Sequence, residues 1–87
     1  MIYFHNDEEG YVSWLERQPG GFVLNLFTGG KQRAMLHTTR CSHLYPINTT
    51  RVHTATHPKA CSPNREELER WGLDYHYAVA PCPDCLP

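Results

Sequence analysis

Residues 80–87 read Ala-Pro-Cys-Pro-Asp-Cys-Leu-Pro, and this stretch decides how the rest of the chain must fold. Two residues separate Cys82 from Cys85, in a segment whose prolines favour a tight turn. This spacing lets both thiolates reach one metal ion, while backbone amides turn inward and stabilise the sulfur charge. The remainder of the chain is then expected to supply two more ligands.

Three upstream residues are candidates for those two ligands: His37, Cys41 and Cys61. If the chain turns helically after His37, that residue and Cys41 share one face and complete a site of three cysteines and one histidine. In a second set, Cys61 replaces His37 and the site has four cysteines. Both are closed ligand sets typical of structural Zn²⁺, and the spacing alone leaves the choice between His37 and Cys61 open.

The size and composition of the chain favour a metal as a stabilising element. A single domain over residues 1–87 buries a limited core, and a staple is expected at this length. Residues 1–8 carry no signal-peptide pattern, and no apolar run approaches the roughly 18 residues of a membrane span, so we expect a cytoplasmic protein without a membrane partner. The 4 cysteines are then expected to be reduced thiols, with disulfides as the less favoured alternative.

The first part of the chain predicts a strand over residues 1–5 and a helix over residues 7–18. Asn6 has the character of an N-cap, and Glu9 lies three residues on, as a capping box requires. The positions that would share the apolar face of this helix are Tyr11, Trp14 and Leu15.

A β-hairpin is the clearest feature of the middle of the chain. Residues 22–27 and 32–37 alternate in polarity around the pair Gly29-Gly30, which accepts the positive φ angles of a tight turn. Residues 50–57 are rich in β-branched side chains and predict a third strand.

A second helix is expected after Cys61. Ser62 is the predicted N-cap of this helix and Pro63 its first residue. Gly72 is predicted to follow the last helical residue, and Leu73 to pack back against the end of the helix. Residues 75–80 would be a short extended segment that delivers the two terminal cysteines. The predicted fold is therefore a small α+β domain, in which a three-stranded, mostly antiparallel sheet carries two helices and a zinc site ties the chain end to the hairpin exit.

The motifs of the second half resemble a known family. They are His37-x-x-x-Cys41, then Ser-Pro-Asn-Arg-Glu-Glu-Leu at residues 62–68, then Gly72, then Pro-Cys-Pro-Asp-Cys-Leu-Pro at residues 81–87. This order resembles the Ada-type zinc-binding domain of bacterial alkylation-response proteins and its stand-alone relatives, some of them attached to nucleases. The resemblance implies a Zn²⁺ ion held by His37, Cys41, Cys82 and Cys85, and it favours His37 over Cys61.

The resemblance also bears on function. In alkylation-response members, a zinc-bound cysteine takes a methyl group from a DNA phosphotriester, which needs an exposed thiolate beside a basic face. This chain has a formal net charge of −1, so a structural zinc is the favoured role. The chain also shows no catalytic sequence motif, and we expect a protein that is not an enzyme.

The expected function is a non-catalytic, zinc-stabilised binding module associated with DNA or RNA, either alone or attached to a larger enzyme. Arg33, Arg40 and Arg51 could line one rim of the sheet and contact phosphates, although scattered solubilising charge is the favoured explanation of these residues. One alternative is a protein-interaction or regulatory module with an apolar patch around the first helix. An exposed Trp14 or Tyr11 would favour this alternative. The other is zinc-thiolate chemistry, as an alkyl acceptor or a redox sensor.

Overall fold

A computed structural model describes residues 1–27, 30–44, 54 and 57–86 of the chain. Within these residues, two helices and a five-stranded mixed sheet form the fold. The elements in chain order are β1 (Ile2–Phe4), α1 (Glu8–Arg17), β2 (Phe22–Phe27), β3 (Arg33–Thr38), a 3₁₀ turn (Ser42–Leu44), β4 (Lys59–Ser62), α2 (Arg65–Asp74) and β5 (Ala78–Pro81).

The strand order is β1-β4-β2-β3-β5. The first three of these pairings are antiparallel, whereas β5 pairs in parallel with β3 at the other edge. The α+β class and the two helices agree with the sequence, but the expected three-stranded, mostly antiparallel sheet is wrong. The sheet gains β4 as an interior strand between β1 and β2, β1 at one edge and the parallel strand β5 at the other.

β4 escapes sequence reasoning because it is short, polar at both ends and buried on both faces. Its sequence Lys-Ala-Cys-Ser has no apolar alternation, and the preceding Pro58 favours a break. Lys59 is nonetheless buried, since its Nζ donates 2.6 Å hydrogen bonds to Asn25 Oδ1 and to the carbonyl of His57. Burial lowers the pKa of Lys59 to about 8, an effect that sequence alone cannot anticipate.

The predicted third strand over residues 50–57 lies largely outside the described residues. Of its positions, Thr54 and His57 are described, and neither belongs to the sheet. The predicted extended segment over residues 75–80 corresponds to β5. A parallel strand needs a crossover connection, and here α2 supplies it between β4 and β5.

The sheet buries a hydrophobic cluster on each face, because successive side chains of a strand point to opposite sides. Val23 faces the α1 side and Leu24 the α2 side. The cluster on the α1 side consists of Phe4, Tyr11, Trp14, Leu15, Val23, Cys41, Leu44, Cys61 and Cys82. The cluster on the α2 side consists of Leu24, Leu26, Ala34, Leu36, Ala60 and Leu68. None of the helices in the described part of the chain has the length and apolar character that a membrane crossing requires.

Helix α1 begins one residue later than predicted. Asn6 has a left-handed backbone with φ 55°, and its N–H donates to the carbonyl of Thr54 at 3.2 Å. Asp7 is the N-cap, and its carboxylate accepts from the backbone N–H of Gly10 at 3.0 Å. The predicted Asn6 cap is wrong because a contact distant in sequence, with Thr54, fixes this backbone.

Helix α2 also begins later and ends later than predicted. Its N-cap is Asn64, whose Oδ1 accepts from the N–H of Glu66 at 2.9 Å, whereas Ser62 is the last residue of β4. The helix continues through Gly72, and its left-handed closing residue is His76, with φ 63°. Leu73 is exposed and does not pack back behind the helix.

Gly72 is needed for close packing and not for a left-handed turn. A Cβ added at this position would lie 2.6 Å from Val79 Cγ2, so a glycine lets α2 approach β5. The contact matters beyond the helix itself, since β5 leads directly into Cys82.

We expect Gly72→Ala to destabilise the fold although alanine is the better helix former. Overpacking costs about 1–3 kcal/mol, and it opposes a propensity gain of about 1 kcal/mol. Gly20→Ala is the matched control, because a Cβ at Gly20 meets nothing within 4 Å. Urea denaturation measures the free energy of unfolding of both variants. A Gly72→Ala protein as stable as Gly20→Ala would show that the helix and β5 can separate freely.

Candidate metal centre

The parallel pairing of β3 and β5 brings the two halves of the site together. β3 contains His37, and β5 ends one residue before Cys82. The register pairs Leu36 with Pro81, and the N–H of Cys82 donates to the carbonyl of Leu36 at 2.8 Å. Cys82 is therefore fixed beside His37 by a backbone hydrogen bond.

A tight turn after β3 supplies the first ligand pair. The N–H of Cys41 donates to the carbonyl of Thr38 at 3.1 Å, which folds the chain back on itself. His37 Nδ1 then lies 3.3 Å from Cys41 Sγ. The two side chains meet through a strand end and a turn, and not through the helical turn considered from their spacing.

The second ligand pair lies in the turn that follows β5. The N–H of Leu86 donates to the carbonyl of Cys82 at 2.8 Å and closes this turn. Burial alone would raise the pKa of the Cys82 thiol, but the backbone N–H groups of Asp84 and Cys85 donate to its sulfur and leave that pKa below its ordinary value. The inward-facing amides expected from the Cys-x-x-Cys spacing are therefore present.

The four candidate ligands lie close enough together to hold one metal ion. The ligand atoms of His37, Cys41, Cys82 and Cys85 all lie within 4.8 Å of one another. The Cys41 and Cys82 sulfurs are 3.8 Å apart. Metal–sulfur distances of about 2.3 Å put two sulfurs of a tetrahedron about 3.8 Å apart, whereas a disulfide would need about 2.05 Å. All four cysteines of the chain are free, and this cluster could hold a metal ion.

Burial disfavours the thiolate form of these cysteines when no cation balances the negative charge. His37, Cys41 and Cys82 are buried, and Cys85 is partly exposed. Burial is the main cause that lowers the pKa of His37, which keeps the imidazole neutral and able to coordinate. Burial also raises the pKa of Cys41 to about 12, helped by the neighbouring thiols. A bound cation would offset this cost by stabilising the thiolates.

Cys61 occupies a different environment. It lies on β4, opposite Val23 of β2 and Ile2 of β1, and its side chain is fully buried. Burial raises the pKa of its thiol to about 12. In the described part of the chain, the group of mutually close ligand atoms contains His37 and does not contain Cys61. The geometry therefore supports the set with one histidine over the set with four cysteines.

Two further contacts hold the ligand turns, and sequence reasoning found one of them only in part. His43 follows the first turn and hydrogen bonds through Nε2 to Asp84 of the second turn. The Asp84 carboxylate accepts this hydrogen bond and thereby raises the pKa of His43. Because His43 lies two residues after Cys41, its sequence position places it close to the ligands, but no sequence signal identifies Asp84 as its partner. The N–H of Thr38 also donates to Cys85 Sγ at 3.3 Å, and no sequence signal reveals a backbone donor.

Of the arginines expected to contact nucleic acid, the two that the structure describes lie at opposite ends of β3. Arg33 begins β3 and Arg40 follows its end, so about 15 Å of strand separates their backbones. Both side chains are exposed. Arg51 lies outside the described residues.

The aromatic residues of α1 are core residues. Tyr11 and Trp14 are buried, so the exposed patch considered for a protein-interaction module does not form around these two side chains. Exposed aromatic surface lies instead on the α2 side, where Tyr3 and Tyr75 flank Trp71 at ring-centroid distances of 6.2 and 4.9 Å.

Comparison of the chain with protein-family models, curated proteins and solved structures finds no match. The interpretation of the site therefore depends on its geometry and on the chemistry of its side chains.

We expect His37→Ala and Cys61→Ala to differ in metal affinity. Removing His37 deletes a ligand, so Zn²⁺ affinity should fall by more than the roughly 100-fold that loss of an outer-shell partner can cost. Cys61→Ala removes a buried thiol of similar size outside the cluster and should leave the affinity unchanged. Competition titration against a chromophoric chelator measures both. The reverse order of effects would establish the four-cysteine set instead.

Proposed function

We propose that this chain is a non-catalytic, zinc-stabilised binding module. The observation that carries this proposal is the closed cluster of His37, Cys41, Cys82 and Cys85. Four protein ligands fill a tetrahedral site, whereas catalytic zinc sites keep one position for water or substrate. A closed site at the end of a small domain favours a structural role.

Zinc is the metal that this donor set fits best. Three thiolates and one imidazole are soft and borderline ligands, in contrast to the carboxylate and carbonyl oxygens that Mg²⁺ and Ca²⁺ prefer. The separations within the cluster fit a tetrahedron, which is the usual geometry of structural Zn²⁺.

The proposed ion would act as part of the core. Cys41 and Cys82 belong to the hydrophobic cluster on the α1 side, together with Trp14 and Leu15. Zinc coordination would join this cluster to the turn after β3 and to the turn after β5. In a chain of 87 residues, such a link replaces hydrophobic area that a larger domain would bury.

We expect one Zn²⁺ per chain, and we expect its removal to unfold the domain. Native mass spectrometry compared with the denatured mass gives the stoichiometry, and circular dichroism during titration with a zinc chelator reports the unfolding. Structural zinc can supply about 10–16 kcal/mol of apparent binding free energy, so the effect should be large. Refolding on addition of Zn²⁺, but not of Mg²⁺, is the control. A metal-free protein with the same spectrum and the same stability would contradict the proposal.

The proposed partner is DNA or RNA. The ligand order along the chain resembles that of Ada-type domains, which supports an association with nucleic acid. Arg40 is exposed and directly precedes the ligand Cys41, and Arg33 is exposed on the strand that carries His37. These side chains could contact phosphates, and the net charge of −1 implies that any such binding is weak.

We expect salt-sensitive binding of labelled single-stranded DNA and RNA at low ionic strength. Arg40→Glu should weaken it, because the substitution replaces a phosphate contact with a repulsive charge. Arg70→Glu is the matched control, since it makes the same charge change on the exposed side of α2, across the sheet from α1. Fluorescence anisotropy at two salt concentrations measures the affinities. Flat titrations of the zinc-loaded protein at low salt would exclude the nucleic-acid partner and leave the structural zinc site intact.

A further inference from the structure

The four candidate ligands differ in their access to solvent. The side chains of His37, Cys41 and Cys82 are 4%, 2% and 0% exposed, whereas Cys85 is partly exposed. A reagent that arrives from water can therefore reach the Cys85 sulfur before it reaches the other two sulfurs. Accessibility and thiolate character together decide which cysteine of a protein is oxidised.

The Cys85 sulfur is held by the backbone without being buried by it. The N–H of Thr38 donates to Cys85 Sγ at 3.3 Å and fixes the direction of this side chain. Cys82 is fully buried, whereas Cys85 is partly exposed. Burial therefore distinguishes the two cysteines of the turn after β5.

Cys82 and Cys85 also share one closed turn. The hydrogen bond from the N–H of Leu86 to the carbonyl of Cys82 spans this turn, and both sulfurs belong to the cluster whose ligand atoms lie within 4.8 Å. Two cysteines separated by two residues can form a disulfide within one turn, as in other Cys-x-x-Cys motifs. Cys41 lies on a separate segment, and a bond from it to Cys82 would join two buried sulfurs.

We infer that Cys85 is the oxidation-sensitive ligand of this centre, at which peroxide forms a Cys82–Cys85 disulfide and releases the metal. This inference rests on the proposed zinc site. Cys85 would then be the residue that is modified and small peroxides the reagent, and a purely structural zinc site requires neither.

The chemistry balances in two steps. The Cys85 thiolate attacks one oxygen of hydrogen peroxide, so that an S–O bond forms, the O–O bond breaks and hydroxide leaves. The Cys82 thiolate then attacks the Cys85 sulfur, so that the S–S bond forms, the S–O bond breaks and a second hydroxide leaves. Two thiolates lose two electrons, one peroxide gains them, and two protons from solvent convert the hydroxides to water. A Zn²⁺ ion held by these four residues would lose two of its ligands and be released, and it would take no part in the electron transfer because Zn²⁺ has no redox chemistry.

The consequence for the fold follows from where these ligands lie. Loss of Cys82 and Cys85 as ligands would remove the metal link between the turn after β5 and the pair His37 and Cys41, so release of the metal by peroxide should destabilise the domain as its removal by a chelator does. Reduction of the disulfide and fresh Zn²⁺ would restore the site. The attachment of the chain end to the sheet is thereby sensitive to peroxide.

The experiment treats zinc-loaded, full-length protein with one equivalent of hydrogen peroxide. A chromophoric chelator reports released zinc, and remaining thiols are alkylated under denaturing conditions before tryptic digestion. Cleavage after Arg70 places Cys82 and Cys85 in one peptide, while cleavage after Arg40 and Lys59 places Cys41 and Cys61 in two others. We expect one zinc released per peroxide consumed, loss of two hydrogens within the peptide that starts at Trp71, and full alkylation of Cys41 and Cys61.

The other outcomes each contradict a definite claim. A cross-link between the Cys41 peptide and the peptide that holds Cys82 and Cys85 would overturn the proposed Cys82–Cys85 disulfide. Oxidation of Cys61 first, or a disulfide that leaves zinc bound, would overturn the assignment of Cys85. A preparation that carries no zinc before peroxide is added would instead contradict the proposed function.

Cys61→Ala serves as the control variant and should release zinc at the rate of the unsubstituted protein. In the intact zinc protein, a limiting amount of N-ethylmaleimide should label Cys85 before any other cysteine, and labelling of Cys41 first would also overturn the inference.

Discussion

The hydrogen bond from the N–H of Cys82 to the carbonyl of Leu36 is the contact on which the candidate metal centre depends. It is the last rung of the parallel pairing between β3 and β5, and it brings together residues that lie more than 40 positions apart. Parallel pairing requires a crossover, so the position of Cys82 also depends on how α2 packs on the sheet. The glycine at position 72, which allows α2 to approach Val79, is therefore part of the construction of the metal centre.

The core and the candidate site are continuous on the α1 side of the sheet. Cys41 and Cys82 pack in the same cluster as Tyr11, Trp14 and Val23, so the ligand sulfurs are surrounded by apolar side chains. An environment of this kind disfavours thiolates without a counter-ion, which explains why burial raises the pKa of Cys41 to about 12. A cation coordinated by the cluster would remove that cost, and metal binding and core formation would then stabilise each other.

The sequence was most informative where chemistry depends on short spacing. The separation of Cys82 from Cys85, and of His37 from Cys41, predicted pairs that the structure brings into one cluster. It was least informative where long-range contacts decide the outcome. β4 has too little alternation of polar and apolar residues to be recognised. Lys59 is buried because it hydrogen bonds to residues distant in sequence, such as Asn25, and a hydrogen bond to the distant Thr54 sets the start of α1. The choice between His37 and Cys61 depended on strand register, since β4 places Cys61 opposite Val23 in the core.

Burial and reactivity have opposite requirements at such a site, and the turn after β5 shows how the chain meets both. Three of the candidate ligands, His37, Cys41 and Cys82, are buried, whereas Cys85 is partly exposed in the turn after β5. The backbone N–H of Thr38 orients the Cys85 sulfur without excluding water from it. The cluster is thus most accessible at Cys85. Cys85 shares a turn with Cys82, whose sulfur is the most deeply buried of the cluster. A metal centre of this kind can be held firmly by its three buried ligands and still react with a solvent-borne reagent at Cys85.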